Sequence, residues 1–155
     1  MTNSNTASAD LRFETKLTWM EAEKGIITSD AVADTIRVKM PLHADCVYEH
    51  WGAVHLLLGA VSTSFMSAYL YLASQLGVVV THFFCQAVAM VSPETNKYTF
   101  TRIELYTKVL VPAETSFEKA HYIMERTKVN CVVANSLNVT VIYHCEVASD
   151  PNPRQ

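Results

Sequence analysis

Apolar and polar residues alternate, or fail to alternate, in a few distinct ways along the chain. From Leu11 to Trp19 the alternation is clean, with Leu11, Phe13, Thr15, Leu17 and Trp19 on one face and Arg12, Glu14, Lys16 and Thr18 on the other. A period of two predicts a half-buried strand. Glu21 to Lys24 predicts a turn, and Gly25 to Ser29 a return strand. Thr35 to Leu42 alternates again, with Ile36, Val38, Met40 and Leu42 inward and Pro41 marking an end or an edge. Then the period changes. Between His50 and Gly77 there is no Asp, Glu, Lys or Arg, and the uncharged run continues to Glu94. No proline interrupts Trp51 to Gly77, and Ala, Leu and Met favour helix. The expectation is one long helix, apolar nearly all round and ended by Gly77.

Beyond that helix, Val78 to Val91 is β-rich with apolar residues on both faces, as in a covered strand. Pro93 to Asn96 turns. Tyr98 to Val111 sets Thr99, Thr101, Ile103, Leu105, Thr107 and Val109 against Phe100, Arg102, Glu104, Tyr106 and Lys108. Thr115 with Glu118 fits a capping box, which predicts a second helix with Phe117, Ala120, Ile123 and Met124 on its apolar face. Asn130 to Ser136 is ambiguous, and Leu137 to Val147 alternates as a last strand. The predicted order is β-β-β-α-β-β-α-β, an α+β fold of antiparallel sheets around a long central helix. The expected domain runs from 11 to 148, between a polar N-terminal tail (1–10) and a C-terminal tail (149–155).

Composition narrows the setting. Half of the 155 residues are hydrophobic and 17% are charged, so part of the surface is expected to lie under a partner subunit. A net charge of −3 without a basic run argues against nucleic acid. The long helix has the length of a membrane span. His55, Ser62, Thr63, Ser64, Ser67 and Gln75 inside it, and the absence of flanking Lys or Arg clusters, argue for a buried helix and no membrane. Cysteines 46, 85, 131 and 145 form no CxxC pair. Without an export signal they read as cytoplasmic thiols.

Three stretches together resemble the OsmC/Ohr family. FETKLTW, KGIITS and IRVKMP are similar to its opening hairpin and third strand, and LLLGAVSTSFMSAYLYLA to its central helix. FTRIELYTKVLV and HYIMERTKVNCVVANSL resemble its C-terminal half, ERTKVNCVVANSL being the most specific. The resemblance spans roughly residues 11 to 148. It implies an intertwined homodimer with two enclosed central helices. It also implies a stress-associated role built on thiol-dependent reduction of organic hydroperoxides, without cofactor or metal. In that chemistry a cysteine on the central helix attacks the peroxide, a second cysteine beyond the second helix resolves the sulfenic acid, and an arginine and a glutamate assist. Only a thiolate attacks the O–O bond usefully, and a positive neighbour favours it.

This sequence departs from the family pattern. The resemblance sets Ser64 at the peroxidatic cysteine, Val54 at the glutamate, and Glu23, beside Lys24, near the arginine. Of the four positions only the second cysteine persists, as Cys131. Its plain reading is a small buried hydrophobe, and that of Ser64 a hydroxyl bonded to a helix carbonyl. The expected function is therefore a degenerate hydroperoxide-reductase centre that binds a small apolar ligand beside Ser64, Val54 and His55 at the dimer cleft. The alternatives are an active reductase through Cys131 or Cys46, and a hotdog-like thioesterase suggested by Gly52 to His55 with VVVTHFFCQAVAMVSP. His43, Cys46, His50 and His55, with Asp45 and Glu49, match no standard zinc spacing. Ser64 in STSFM lacks the GxSxG setting of a hydrolase nucleophile.

Overall fold

The computed structural model describes residues 12–39, 50–94 and 97–152, which fall into two compact units divided after Ala53. The expectations for Leu11, Met40, Pro41, Leu42, His43, Asp45, Cys46 and Glu49 lie outside the described residues.

The first unit is an antiparallel meander of β1 (Lys16–Glu21), β2 (Lys24–Ser29) and β3 (Val32–Lys39). Ala22 turns the first hairpin at a φ of 46°, and Glu21 pairs with Lys24 at 3.3 Å to close it. Gly25 is required by a close approach. A Cβ there would sit 3.1 Å from Leu17 Cδ1 and 3.2 Å from the Thr18 carbonyl. Beside β3, the Lys39 N–H donates to the Trp51 carbonyl at 3.1 Å. The alternation predicted a half-buried β1. In the single chain Leu17 and Trp19 are instead 69% and 72% exposed, because among the described residues no layer of this unit lies over them.

In the second unit, α1 (Ala53–Gln75) is the expected long helix, two residues shorter at each end. Gly77 ends it with φ +64°. The Gly77 N–H donates to Ser74 O (3.2 Å) and the Val78 N–H to Ala73 O (2.9 Å), which is the Schellman arrangement. The uncharged helix is not buried all round. Val61, Phe65, Tyr69 and Ala73 form one buried stripe at four-residue spacing, while Leu70 and Tyr71 on another flank are exposed. By length and composition α1 could cross a membrane.

The stripe packs into a core shared with a three-stranded sheet of β4 (His82–Glu94), β5 (Lys97–Val111) and β6 (Thr140–Ser149), with β5 central. Ile103, Leu105, Thr107, Val109 and Val111 point inward from β5 and are buried, as their alternation predicts. Phe65 stacks on Tyr143 with centroids 5.3 Å apart, and Tyr69 tilts against Phe83 at 5.9 Å. Burying an apolar side chain of this size stabilises by about 1.5–3 kcal/mol. One expectation needs correction. β5 and β6 pair in parallel, Arg102 to Val111 against Thr140 to Ser149, so this sheet is mixed rather than antiparallel. A parallel neighbour needs a long crossover. Here it contains α2 (Phe117–Asn130) and the short α3 (Val132–Asn135).

Helix α2 starts one residue later than the capping box suggests. Ser116 is the cap, its Oγ accepting from the Lys119 N–H at 3.3 Å. Ala120, Ile123, Met124 and Thr127 form the buried face, while Phe117 is 40% exposed. At the chain's other end, Asp150 is buried and donates its N–H to Val111 O at 2.8 Å.

Candidate functional site

Ser64 sits on α1 next to the buried stripe, one residue before Phe65. The stripe fixes the rotation of the helix, so Ser64, Ser67, Ala68, Tyr71 and Leu72 share a flank at the i, i+3, i+4, i+7, i+8 spacing of one helix face. Opposite them α2 ends. Asn130 Nδ2 donates to Arg126 O at 2.7 Å, and Thr127 Oγ1 donates to Ile123 O at 2.8 Å. Cys131 then leaves the helix in extended conformation (φ −73°, ψ 96°) before α3 begins. The break turns its side chain inward, where it is fully buried.

Two residues 67 positions apart thereby meet. Cys131 Sγ lies 3.4 Å from Ser64 Oγ, within hydrogen-bond reach, and 4.0 Å from the Val61 carbonyl oxygen. The Val133 N–H donates to Ser64 Oγ at 3.3 Å. Val133 stands in the first turn of α3, whose N–H groups have no intrahelical acceptor. The cap residue of α3, Cys131, makes no side-chain cap bond. Ser64 thus supplies from another helix the oxygen that a cap serine would supply locally. Its expected bond to a helix carbonyl is absent, whereas Ser62 does donate to Leu58 O at 2.9 Å.

Beside the pair lies a cleft of about 340 Å³ lined by Ser64, Ser67, Ala68, Tyr71, Leu72, Asn130 and Val132. Val54 and His55, which the sequence reading grouped with Ser64, do not line it. Ten residues of helix put Val54 about 15 Å from Ser64 along the axis. Glu23 occupies the β1–β2 turn of the first unit. Among the described residues no charged side chain lines the cleft. Among the described residues no group of three or more His, Cys, Asp or Glu could hold a metal.

The other described cysteines are thiols on the inner face of the sheet. Cys85 and Cys145 both pair with Thr107, one on each side of β5. Thr107 Oγ1 donates to Cys85 Sγ at 3.4 Å. Two strand spacings, about 9.5 Å, exceed the Cα separation that a disulfide bridges. Burial pushes the Cys145 thiol pKa up, and pushes Tyr143 up to about 12.

A second cluster, which the sequence reading did not single out, lies on the outer face. Glu104 accepts from Arg102 Nε (2.6 Å) and from the Tyr106 hydroxyl (2.7 Å), and lies 3.1 Å from His144 Nε2. These bonds, that from Arg102 foremost, hold its pKa down to about 2. Tyr106 stacks on His144, centroids 4.4 Å apart and planes 11° apart. The alternation of Arg102, Glu104 and Tyr106 on one strand face was the available signal, but His144 enters only through the parallel pairing of β6.

A sequence model of the OsmC-like protein family matches residues 49–144, more than half of the chain. The chain belongs to the OsmC-like family. No curated protein matches it. Among solved structures, this OsmC-like chain is similar to an OsmC-like protein of unknown function from Vibrio cholerae. That likeness has a TM-score of 0.77 at 16% identity, covering 88% of this chain and 99% of that one. It is also similar to an organic hydroperoxide resistance protein from Elizabethkingia anophelis (TM-score 0.66, 16% identity, 92% and 100% covered). The organic hydroperoxide resistance protein OhrB of Bacillus subtilis is a third (0.61, 17%, 86% and 98%). At these identities the structures share the fold. The family match and the fold displace the hotdog alternative: β5 runs parallel to β6 through a two-helix crossover, as one OsmC-like chain.

Proposed function

We propose that this OsmC-like chain is a stress-associated binding protein whose hydroperoxide-reductase centre is degenerate. It takes a small, largely apolar ligand in the cleft beside Ser64, as a homodimer. The observation that carries this reading is the 3.4 Å contact between Cys131 and Ser64. The cysteine that remains faces a hydroxyl where the resemblance expects a thiol. A serine oxygen forms no sulfenic acid, so a disulfide cannot complete the cycle there. Cys131 itself is fully enclosed and engaged with Ser64, a setting that suits a packing role better than attack on a peroxide. Among the described residues the cleft's lining carries no charge and includes the small Ser64, Ser67 and Ala68, which suits a binding site more than a thiol reaction centre. The homodimer is supported by the apolar surface that each chain leaves open, including Leu17, Trp19, Leu70 and Tyr71.

The competing reading keeps a redox role for Cys131 or Cys46, with an external thiol as resolver. Intact-mass and peptide analysis after treatment with tert-butyl hydroperoxide and a sulfenic-acid trap separates the two. The expected result is no selective adduct at Cys131 or Cys46 while both remain reduced. A rapid adduct confined to either cysteine would replace the binding reading with the redox one.

A further inference from the structure

We infer that the first unit carries a second binding site, for a small organic phosphate monoester, on the sheet face opposite Leu17 and Trp19. The inference is independent of the Ser64 reading and starts from three basic residues that the thiol chemistry leaves unused. Strand register sets Thr18, Ile26 and Arg37 side by side on one face, and Leu17, Ile27 and Ile36 on the other. Lys24 pairs with Lys39, two residues beyond Arg37. It is therefore the diagonal neighbour of Arg37 on the same face, roughly 7–8 Å away. Val38 bridges to Trp51 in parallel, which brings His50 alongside Arg37. Together with Met20, Glu21 and Ile26, these three basic residues line a hollow of about 350 Å³.

Arg37 is exposed, and among the described residues no carboxylate pairs with it. Its planar fork binds two oxygens of a phosphate side by side. Lys24 reaches Glu21 only at 3.3 Å, with both side chains open to water, so that bond costs little to exchange for one to another anion. A phosphate monoester brings three acceptor oxygens and a charge of about −1.5 to −2. Two oxygens fit the arginine fork, the third falls to Lys24, and His50 offers a ring N–H beside them. A carboxylate has only two oxygens. Both go to the fork, and Lys24 stays with Glu21. Met20 and Ile26 give an apolar wall for an organic group, which inorganic phosphate cannot use. Glu21 is the one acid in the described lining, and it opposes the anion.

The test titrates the isotopically labelled full chain with phenyl phosphate, benzoate and inorganic phosphate, reading amide chemical shifts. Phenyl phosphate should shift the amides of β2, β3 and His50 saturably. It should bind about tenfold tighter than benzoate, the worth of one charged hydrogen bond, and a few-fold tighter than inorganic phosphate. Arg37→Gln should weaken phenyl phosphate about tenfold. Glu21→Gln should tighten it a few-fold, because it removes the opposing charge and frees Lys24. Lys108→Gln removes a cation as exposed as Lys24 from the other sheet and should change nothing. Benzoate binding as tightly as phenyl phosphate would overturn the phosphate class, and inorganic phosphate binding as tightly would overturn the organic half. No saturable shift on this face, or equal weakening by Arg37→Gln and Lys108→Gln, would overturn the site itself. None of these outcomes bears on the cleft beside Ser64.

Discussion

Replacing Ser64 with cysteine tests whether two residues far apart in sequence truly face each other. The hydroxyl oxygen and Cys131 Sγ are 3.4 Å apart, and a longer Cβ–Sγ bond brings the new sulfur closer still. Mild oxidation should close a disulfide across 67 positions. For a loop of that length the chain-entropy model gives about 4 kcal/mol. Against this stands the Val133 N–H, which loses its oxygen acceptor at a cost of about 1 kcal/mol. The oxidised variant should therefore be about 3 kcal/mol more stable than wild type. The reduced variant should be about 1 kcal/mol less stable. Urea denaturation with and without reductant measures both differences, and thiol titration should count two fewer free thiols per oxidised chain. The double variant Ser64→Cys, Cys131→Ala should lose no thiols and gain no stability on oxidation, while it keeps the loss at the Val133 N–H. If Ser64→Cys stays fully reduced in oxidised glutathione, or cross-links only between chains, the side chains do not meet within one chain and the site described here is wrong.

The outer-face cluster predicts a pH dependence. Glu104 is held near 2 against an ordinary value of 4.5, so its stabilisation is complete above about pH 4.5 and is lost as pH falls toward 2. The urea midpoint of Glu104→Gln should thus lie below that of wild type at pH 6 and converge on it near pH 2–3. A constant gap across that range would show that the carboxylate is not the group concerned. The exposed apolar residues predict an obligate interface burying more than about 2,000 Å² in total. Light scattering should report a dimer at micromolar concentration, and a stable monomer would contradict it.

Much of the fold was legible because periodicity is a local signal. The inward set of β5 and the helix that ends at Gly77 follow from it directly. Two things were not legible. The parallel pairing of β6 depends on where a crossover lands, and strand alternation looks the same in either direction. The exposure of Leu17 and Trp19 depends on what covers a sheet, which one chain's pattern does not specify. The cleft was legible in part. Ser67, Ala68 and Tyr71 share the face of Ser64 by simple helical spacing, but Asn130 and the Val133 N–H arrive from a helix end whose position is tertiary. Val54 joins Ser64 through the family resemblance, which sets it at the glutamate position; within one chain ten residues of helix, about 15 Å, lie between them.

The central claim is that the thiol reaction of the family has no working centre in this chain. The direct measurement is the loss of an organic hydroperoxide over time with purified protein and a dithiol reductant. Wild type should not exceed the uncatalysed rate. Ser64→Cys alone should add little, because Glu23 and Val54 still stand where the resemblance expects an arginine and a glutamate. Where the resemblance expects a cation, an acidic residue would oppose thiolate formation. Adding Glu23→Arg and Val54→Glu should raise turnover more than the cysteine alone. Saturable hydroperoxide consumption by wild type, abolished by Cys131→Ser, would contradict the account.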